Sequence, residues 1–443
     1  MFPRSRAAGT APQDTRVRSL WRDRDFGVFW AAQTLSVAGD SFAYIAVPLL
    51  VLQATGSVAQ MGLLTGISGA ASVGAGIFAG ILVDRFDRRS LLICCDLARL
   101  VLYAVIPLAW AMGPQVGVLY VVLPAAEAVG MVFQVTYVAA VRNLVGEEQI
   151  TEANGRLYAT SAAAGILGPV LAGVMAGHFG LTTAIAINAA SFAVSAVAVY
   201  LIRIDRRQAP APTGAGTRAA EPDTPMPDVG GTVAREKRAW QELLAGVRFL
   251  WANPVLRTLT ILLSFFIFLT LGLTDIVIYR LKHDLGQSDS TVGTVLGAAA
   301  VGTVAGALLV ARLRQRLGFG PCWIGAQSVC GLAIAGIGSV GTSWGVAALM
   351  GVYLGCVSVA GICSMSLRQQ VTPDHLLGRV TSAFWTIHFS MGPVGAAGLS
   401  WVAARFGATT VCVIAGTGCL LIAVAALFTP ARRRHPERVV ADT

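Results

Sequence analysis

The sequence predicts an all-α membrane protein with twelve transmembrane helices in two pseudo-symmetric six-helix bundles. Three observations predict it. Apolar residues make up 55% of the chain and charged residues only 13%, with a mean hydropathy of +0.68; a soluble domain carries about a quarter charged residues. Apolar runs long enough to span a bilayer recur along the whole length. The second half also repeats, in order, the sparse glycine and polar positions of the first.

Charge sets the topology. A net charge of +10 suits a nucleic-acid binder, but all except four of the 33 lysines and arginines fall in alternate loops, the positive-inside pattern of a membrane protein. No nucleic-acid partner is expected. The exceptions are Arg280, Lys282 and Arg405 on the predicted outer side and Arg99 within a helix. Both termini are therefore expected in the cytoplasm. The eight cysteines lie within or at the ends of apolar runs, without metal-ligand spacing, and read as small packing residues; no metal is expected. The first 25 residues are polar and arginine-rich, and the first apolar run is long enough to span, so no cleaved signal is expected.

In chain order, residues 1–25 form a cytoplasmic tail and 26–203 the first bundle. Its helices are predicted at 26–53, up to Val83, at 90–111, 117–141, to about 177, and to about 202. Thr55–Gly56, Gly113–Pro114 and His178–Gly180 make short outer turns; Asp84–Arg89 and Arg142–Arg156 are inner. Residues 204–252 form a cytoplasmic linker. Its first part, rich in Pro, Ala, Gly and Thr, reads as disordered. Its last part, 236–252, reads as an amphipathic helix on the inner membrane surface, with Trp240, Leu243, Leu244, Val247 and Trp251 on one face. The second bundle, 253–429, holds helices at about 255–279, 290–311, 321–341, 344–367, 380–403 and 408–429. Residues 430–443 close the chain as a basic cytoplasmic tail.

The repeat supports the two-bundle reading. Ser57-x4-Gly62-x3-Gly66 recurs as Ser288-x4-Gly293-x3-Gly297. Gly155-Arg156 recurs as Gly378-Arg379, Gly168-Pro169 as Gly392-Pro393, and Asp40-x3-Tyr44 as Asp275-x3-Tyr279. Parallel six-plus-six repeats are one of the architectures of secondary transporters.

The turn after the second helix carries Gly80, Asp84, Arg85, Arg88 and Arg89. It resembles the signature loop of the major facilitator superfamily, roughly G-x-x-x-D-R-x-G-R-R, with Asp87 where the family usually has Gly. The resemblance covers about residues 20–430 and is nearest the subgroup of macrolide-efflux and enterobactin-export proteins. It implies the major facilitator fold, and a central cavity lined by helices 1, 4, 7 and 10. It implies that Asp84 faces the start of helix 11, near Gly378–Thr381, as a gate latch of the outward-facing state. Gly155, Ala164, Gly168, Pro169 and Gly173 resemble the helix-5 motif of drug antiporters, with two of the usual glycines replaced by Ala164 and Ala172. Helix 4 lacks the buried arginine of proton-coupled drug exporters; Arg142 lies at its cytoplasmic end instead.

Three acids fall on the helices so implicated: Asp40 with Gln33, Ser36 and Tyr44; Glu127 with Gln134 and Tyr137; and Asp275. An ionisable residue inside a membrane is costly and marks a functional candidate, and a carboxyl group there suits loading and release of a proton. The bland alternative for each is an acid that only ties helices together. Asp96 and Arg99, three apart in helix 3, read as a structural pair. His388 and Trp385 read as packing rather than substrate contacts, and Phe265, Phe266 and Phe268 as lipid-facing or packing residues.

The expectation is a secondary transporter, not an enzyme, of a bacterial cytoplasmic membrane. It would export a small amphiphilic molecule by proton-coupled antiport, as a monomer with no cofactor beyond the proton gradient. The alternative on the same fold is facilitated uptake or lipid-related transport.

Overall fold

The computed structural model describes residues 24–145, 149–202 and 244–436. Residues 1–23, 146–148, 203–243 and 437–443, which include most of the N-terminal tail and the end of the C-terminal one, lie outside the described residues, as do the side chains of Asp84 and Arg142. The first six helices are α1 (Arg24–Thr55), α2 (Val58–Arg85), α3 (Arg88–Trp110), α4 (Val116–Leu144), α5 (Ile150–Phe179) and α6 (Leu181–Leu201). The seventh crossing is broken into α7 (Pro254–Thr270) and α8 (Leu273–Tyr279), and ends in a π-helical turn, Arg280–Asp284. Then follow α9 (Asp289–Leu317), α10 (Phe319–Ser339), α11 (Ser343–Val371), α12 (Asp374–Ser390), α13 (Gly392–Phe406) and α14 (Ala408–Leu427). Among the described residues there is no strand, and eleven segments are long and apolar enough to cross a membrane. The remaining crossing is α12 and α13 taken together, interrupted only at Met391.

Helix ends follow from local chemistry. The side chains of Ser57, Asp87, Ser288 and Thr342 accept from the backbone amides of Gln60, Ser90, Thr291 and Gly345, satisfying donors that a helix start leaves open. Asn253 accepts from two amides, with Pro254 at the first helical position. Asp87, the departure from the family's signature, is thus the N-cap of α3.

Several helices run further than the apolar pattern suggests: α5 begins at Ile150, α9 reaches Leu317 and α11 reaches Val371. A helix of 29 residues is about 44 Å long, more than the ~30 Å of bilayer hydrocarbon, so charged residues ride on its end. Arg368, expected in a loop, is instead buried within α11. Arg280, expected on an outer loop, is also buried; it donates to Thr409 Oγ1 at 2.8 Å, to the Val340 carbonyl at 3.0 Å and to Asp284 at 3.4 Å. The Val340 carbonyl lies just past the end of α10, where acceptors lack helical partners; that end satisfies the cation.

The repeat is visible in the backbone. Gly56 and Gly286, ahead of the capping serines, have φ of 66° and 62°. Gly180 and Gly407, between the last two helices of each half, have φ of 88° and 85°. Only glycine adopts this region without strain.

Within the first half α1 packs on α5 and α6, α3 on α4 and α6, and α2 on α4. Within the second, α11 packs on α9 and α10, and α10 on α14. The halves meet along two seams, α2 against α13 and α5 against α9. The repeated motifs build both. A Cβ at Gly66 would lie 2.7 Å from the Pro393 carbonyl, and one at Gly293 would lie 2.4 Å from the Pro169 carbonyl and 2.5 Å from Gly173 Cα. The serine–glycine motif of each half therefore lies on the Gly-Pro of the other, at distances only glycine allows.

Both seams lie toward the end away from the Asp84–Arg89 turn. At the arginine-rich end, Gly80, Gly155 and Gly378 have nothing within 4 Å of where a Cβ would stand. The halves are joined at one end and apart, at these positions, at the other. Residues 244–252 are helical, and one face of this helix packs on the protein. Gly246 lies 2.3 Å, measured from its Cβ position, from the Arg379 carbonyl, and Leu250 is fully buried. Leu244 and Trp251 are exposed. This helix packs on the start of α12 and leaves its other apolar face outward.

Candidate functional site

Between the halves lies a cavity of about 510 Å³. From α1 it is lined by Gln33, Ser36, Asp40 and Tyr44; from α4 by Glu127, Phe133 and Gln134. The seventh crossing contributes Leu271, Thr274 and Asp275 at its break. The structure thus brings Asp40, Glu127, Asp275, Gln33, Tyr44 and Gln134 to one space. Tyr137 is not among the lining residues: its ring stacks on Phe29 at 5.6 Å and on the cavity-lining Phe133 at 6.3 Å, one side chain removed from the space.

The central contact joins helices α1 and α3. Arg99 Nη2 donates to Asp40 Oδ1 at 2.8 Å. Arg99 was expected to pair with Asp96 and to stay out of the site; instead it reaches the cavity. Asp96 is fully buried beside Ser195. The Arg99 guanidinium lies 3.9 Å from the ring centre of Phe192 on α6, a cation–π geometry. Gly130 on α4 faces it, with its Cβ position 3.8 Å from Arg99 Nε. Arg99 is thus held by α1, α4 and α6 together. The signal in the sequence was its place: eleven residues after Arg88, it is deep in an apolar run, where a cation needs an anion from another helix.

Glu127 is exposed to the cavity and, among the described residues, makes no ion pair. Asp275 is nearly sealed and accepts from Thr65 Oγ1 at 2.6 Å. The Tyr44 hydroxyl donates to Thr274 Oγ1 at 3.0 Å, and Gln33 Nε2 to Ser195 Oγ at 3.2 Å. The Asp275 and Tyr44 bonds cross between halves. Further out, Gln53 Nε2 donates to Asp289 Oδ2 at 2.9 Å, and Lys282 pairs with Asp289 at 2.7 Å. The cavity therefore ends in polar ties at the joined end.

The other predicted positions lie outside this space. Gly168 packs on Ser41, with its Cβ position 2.2 Å from Ser41 Cβ, closing α5 on α1. Gly173, Pro169 and Pro393 belong to the seams, whereas the Cβ position of Gly392 meets Leu271 at 2.7 Å, at the end of α7 in its own half. Arg89 donates to the carbonyls of Val199 and Tyr200 at the end of α6, where a cation is favoured. Arg85 and Arg88 lie in the same turn, and Arg379 is exposed at the start of α12. Trp385 and His388 pack with Phe384 and Arg368, whose guanidinium lies 3.7 Å from the Phe384 ring centre; neither lines the cavity.

The sequence matches the Major Facilitator Superfamily over residues 29–396 and 276–442. The chain belongs to that superfamily. It is a multi-pass membrane transporter, and the resemblance to that superfamily is borne out. The multidrug efflux pump Tap of Mycolicibacterium fortuitum is 24% identical over 415 residues, covering 92% of this chain and 95% of the pump. The enterobactin exporter EntS of Escherichia coli (strain K12) is 24% identical over 419 residues, covering 93% of this chain and 92% of the exporter. Among solved structures, the nucleoside transporter NupG superposes with a TM-score of 0.68 at 13% identity, over 91% of this chain and 98% of that one. A bacterial homologue of the lysosomal transporter Spinster, inward-facing and unoccupied, gives 0.69 at 13% identity, over 98% of this chain and 99% of that one. These superpositions share the fold of this major facilitator protein, with its cavity between two six-helix halves.

Proposed function

We propose that this transporter exports a small amphiphilic molecule across a bacterial cytoplasmic membrane in exchange for protons. In this reading the arginine-rich end is cytoplasmic, and the structure is the inward-facing state of an alternating-access cycle. The kinship with Tap and EntS supports export. The observation that carries proton exchange is the Asp40–Arg99 pair in the cavity wall, with Glu127 facing the same space. A proton on Asp40 cancels the attraction for Arg99. The guanidinium is then drawn toward Glu127, the acid in its field that faces the cavity. Substrate and proton thus compete for one set of carboxylates, which is the minimum an antiporter needs. The break at Leu271–Gly272 lets Thr274 and Asp275 follow the rocking of the halves. No cofactor enters this scheme, and one chain holds the whole cavity. The latch role of Asp84 belongs to the same proposal: its carboxylate would favour the N-terminus of α12 once the arginine-rich end closes.

The test uses inside-out vesicles holding a pH gradient and a panel of drugs and siderophores, read by a pH-sensitive dye. A substrate of the wild type should collapse the gradient. Glu127→Gln or Asp40→Asn should still bind it but release at least tenfold fewer protons. Transport that proceeds without proton movement, and is indifferent to a protonophore, would replace antiport with facilitated transport.

A further inference from the structure

A second pair of cavities lies on the membrane-facing side of the C-terminal half, remote from the central one. The first is an apolar groove of about 600 Å³ between α9, α10 and α11. Its floor is cut where α9 and α11 touch backbone to backbone: a Cβ at Gly302 would stand 1.9 Å from the Gly351 carbonyl, and one at Gly306 2.3 Å from the Gly355 carbonyl. Its walls are exposed apolar side chains, among them Val301, Leu309, Leu313, Leu317, Val329 and Val352. From Val301 to Leu317 it runs about 24 Å along α9 at 1.5 Å per residue, longer than the ~15 Å of hydrocarbon in one leaflet.

At its arginine-rich end the groove adjoins a polar pocket of about 440 Å³, lined by Arg314, Gln315, Ser366, Gln370 and Arg434. The two share their helices position by position: Leu313 faces the groove and Arg314 the pocket, Leu317 the groove and Gly318 the pocket. Along α11 the lining continues from Val359 to Ile362, Ser366 and Gln370. The pocket is built rather than a loose surface. Arg314 Nη2 donates to Gln370 Oε1 at 2.8 Å, and the chain carrying Arg434 is tied to the start of α10 by the Phe319 and Gly320 amides, at 2.9 and 3.0 Å from the carbonyls of Arg434 and Arg433. Among the described residues no acidic side chain lines it; His435 completes the polar lining.

We infer that this composite site holds an anionic phospholipid, with one acyl chain in the groove and its phosphate between Arg314 and Arg434. Charge complementarity selects the ligand. A membrane groove of this shape accepts any acyl chain, but two arginines without an acid at its end favour a phosphate with net negative charge. A zwitterionic headgroup would bring its own cation against Arg314. The C-terminal tail would then be a clamp on bound lipid, coupling the 432–434 segment to the composition of the arginine-rich leaflet. This inference goes beyond the export reading and does not depend on it.

The experiment is native mass spectrometry of the full-length protein, with dioleoyl-phosphatidylglycerol, dioleoyl-phosphatidylcholine or inorganic phosphate added. Wild type should retain phosphatidylglycerol in preference to phosphatidylcholine, and inorganic phosphate should not displace it. Arg314→Gln and Arg434→Gln should each weaken retention about fivefold. Ala305→Phe, which fills the groove while leaving both arginines in place, should weaken it as well; Ala305 is exposed, so this variant is expected to fold. Arg312→Gln removes the same charge from the same helix outside the pocket, and should change nothing. Equal retention of the two lipids, or equal loss in Arg312→Gln and Arg314→Gln, would overturn the site in favour of diffuse surface charge. Displacement by inorganic phosphate, or full retention in Ala305→Phe, would overturn the lipid and leave an anion pocket.

Discussion

At Arg99 a single guanidinium meets three helices of the first half, and its loss should be read in those terms. Breaking a buried ion pair by removing one partner costs about 3–5 kcal/mol. Asp40, whose side chain is 40% exposed to the cavity, keeps some solvation, so Arg99→Gln should cost less, about 2 kcal/mol. Part of that cost is the cation–π contact with Phe192 and does not involve Asp40. The double variant Arg99→Gln with Asp40→Asn should therefore recover some stability but not all. In a thermal-unfolding cycle the two losses should fall short of additive by about 1–2 kcal/mol. Strict additivity would mean that the 2.8 Å contact contributes nothing. Sequence reasoning found the acid and missed its partner for a physical reason. The spacing of Asp96 and Arg99 is a property of α3 alone, whereas the Asp40 contact depends on how α1 is rotated against α3. Tyr137 is on the right helix, but its ring is taken up by Phe29 and Phe133 rather than by the cavity, a packing choice that helix periodicity alone does not show.

Among the elements, most of what could be read beforehand was local. Apolar runs and alternating charge located the spans, because bilayer thickness and loop charge act on each segment separately. The short turns at Thr55–Gly56, Gly113–Pro114 and His178–Gly180 marked helix ends for the same reason. The four repeated motifs were legible as sequence, but their meaning was not, since each half's serine–glycine motif finds its partner in the other half. Helix lengths were underestimated at α5, α9 and α11 because a helix continues into water once it has left the hydrocarbon. The seams make a direct prediction. The Cβ position of Gly177 on α5 lies 3.4 Å from Ser290 Cβ on α9, close to the ~3.8 Å typical of a disulfide. The pair Gly177→Cys with Ser290→Cys should cross-link under mild oxidation, hold the joined end shut and stop substrate flux, with flux restored by a reductant. A pair that refuses to cross-link would show that this seam is not the resting arrangement; a cross-linked protein that still transports would show that α5 and α9 need not separate.

For the whole molecule, the same geometry ties the two ends together. Each half is one packed body, and the halves touch along seams near one end only. If they rock as bodies, opening the seam end must bring the arginine-rich ends of α2 and α12 toward each other. Gly80 and Gly378 stand on those ends, with open space around both, so labels there disturb nothing. Spin labels on Gly80→Cys and Gly378→Cys should give two distance populations: a long one matching this structure and a shorter one in which the ends have met. Adding the Gly177–Ser290 cross-link should abolish the short population and leave the long one unchanged, although the lock lies at the opposite end of the helices. Asp84→Asn should move weight the same way without any cross-link, because the neutral side chain loses its attraction for the start of α12. Survival of the short population in the locked protein would mean that the arginine-rich end closes by bending within a half. The seams would then be hinges of separate gates rather than the axis of one rocking motion.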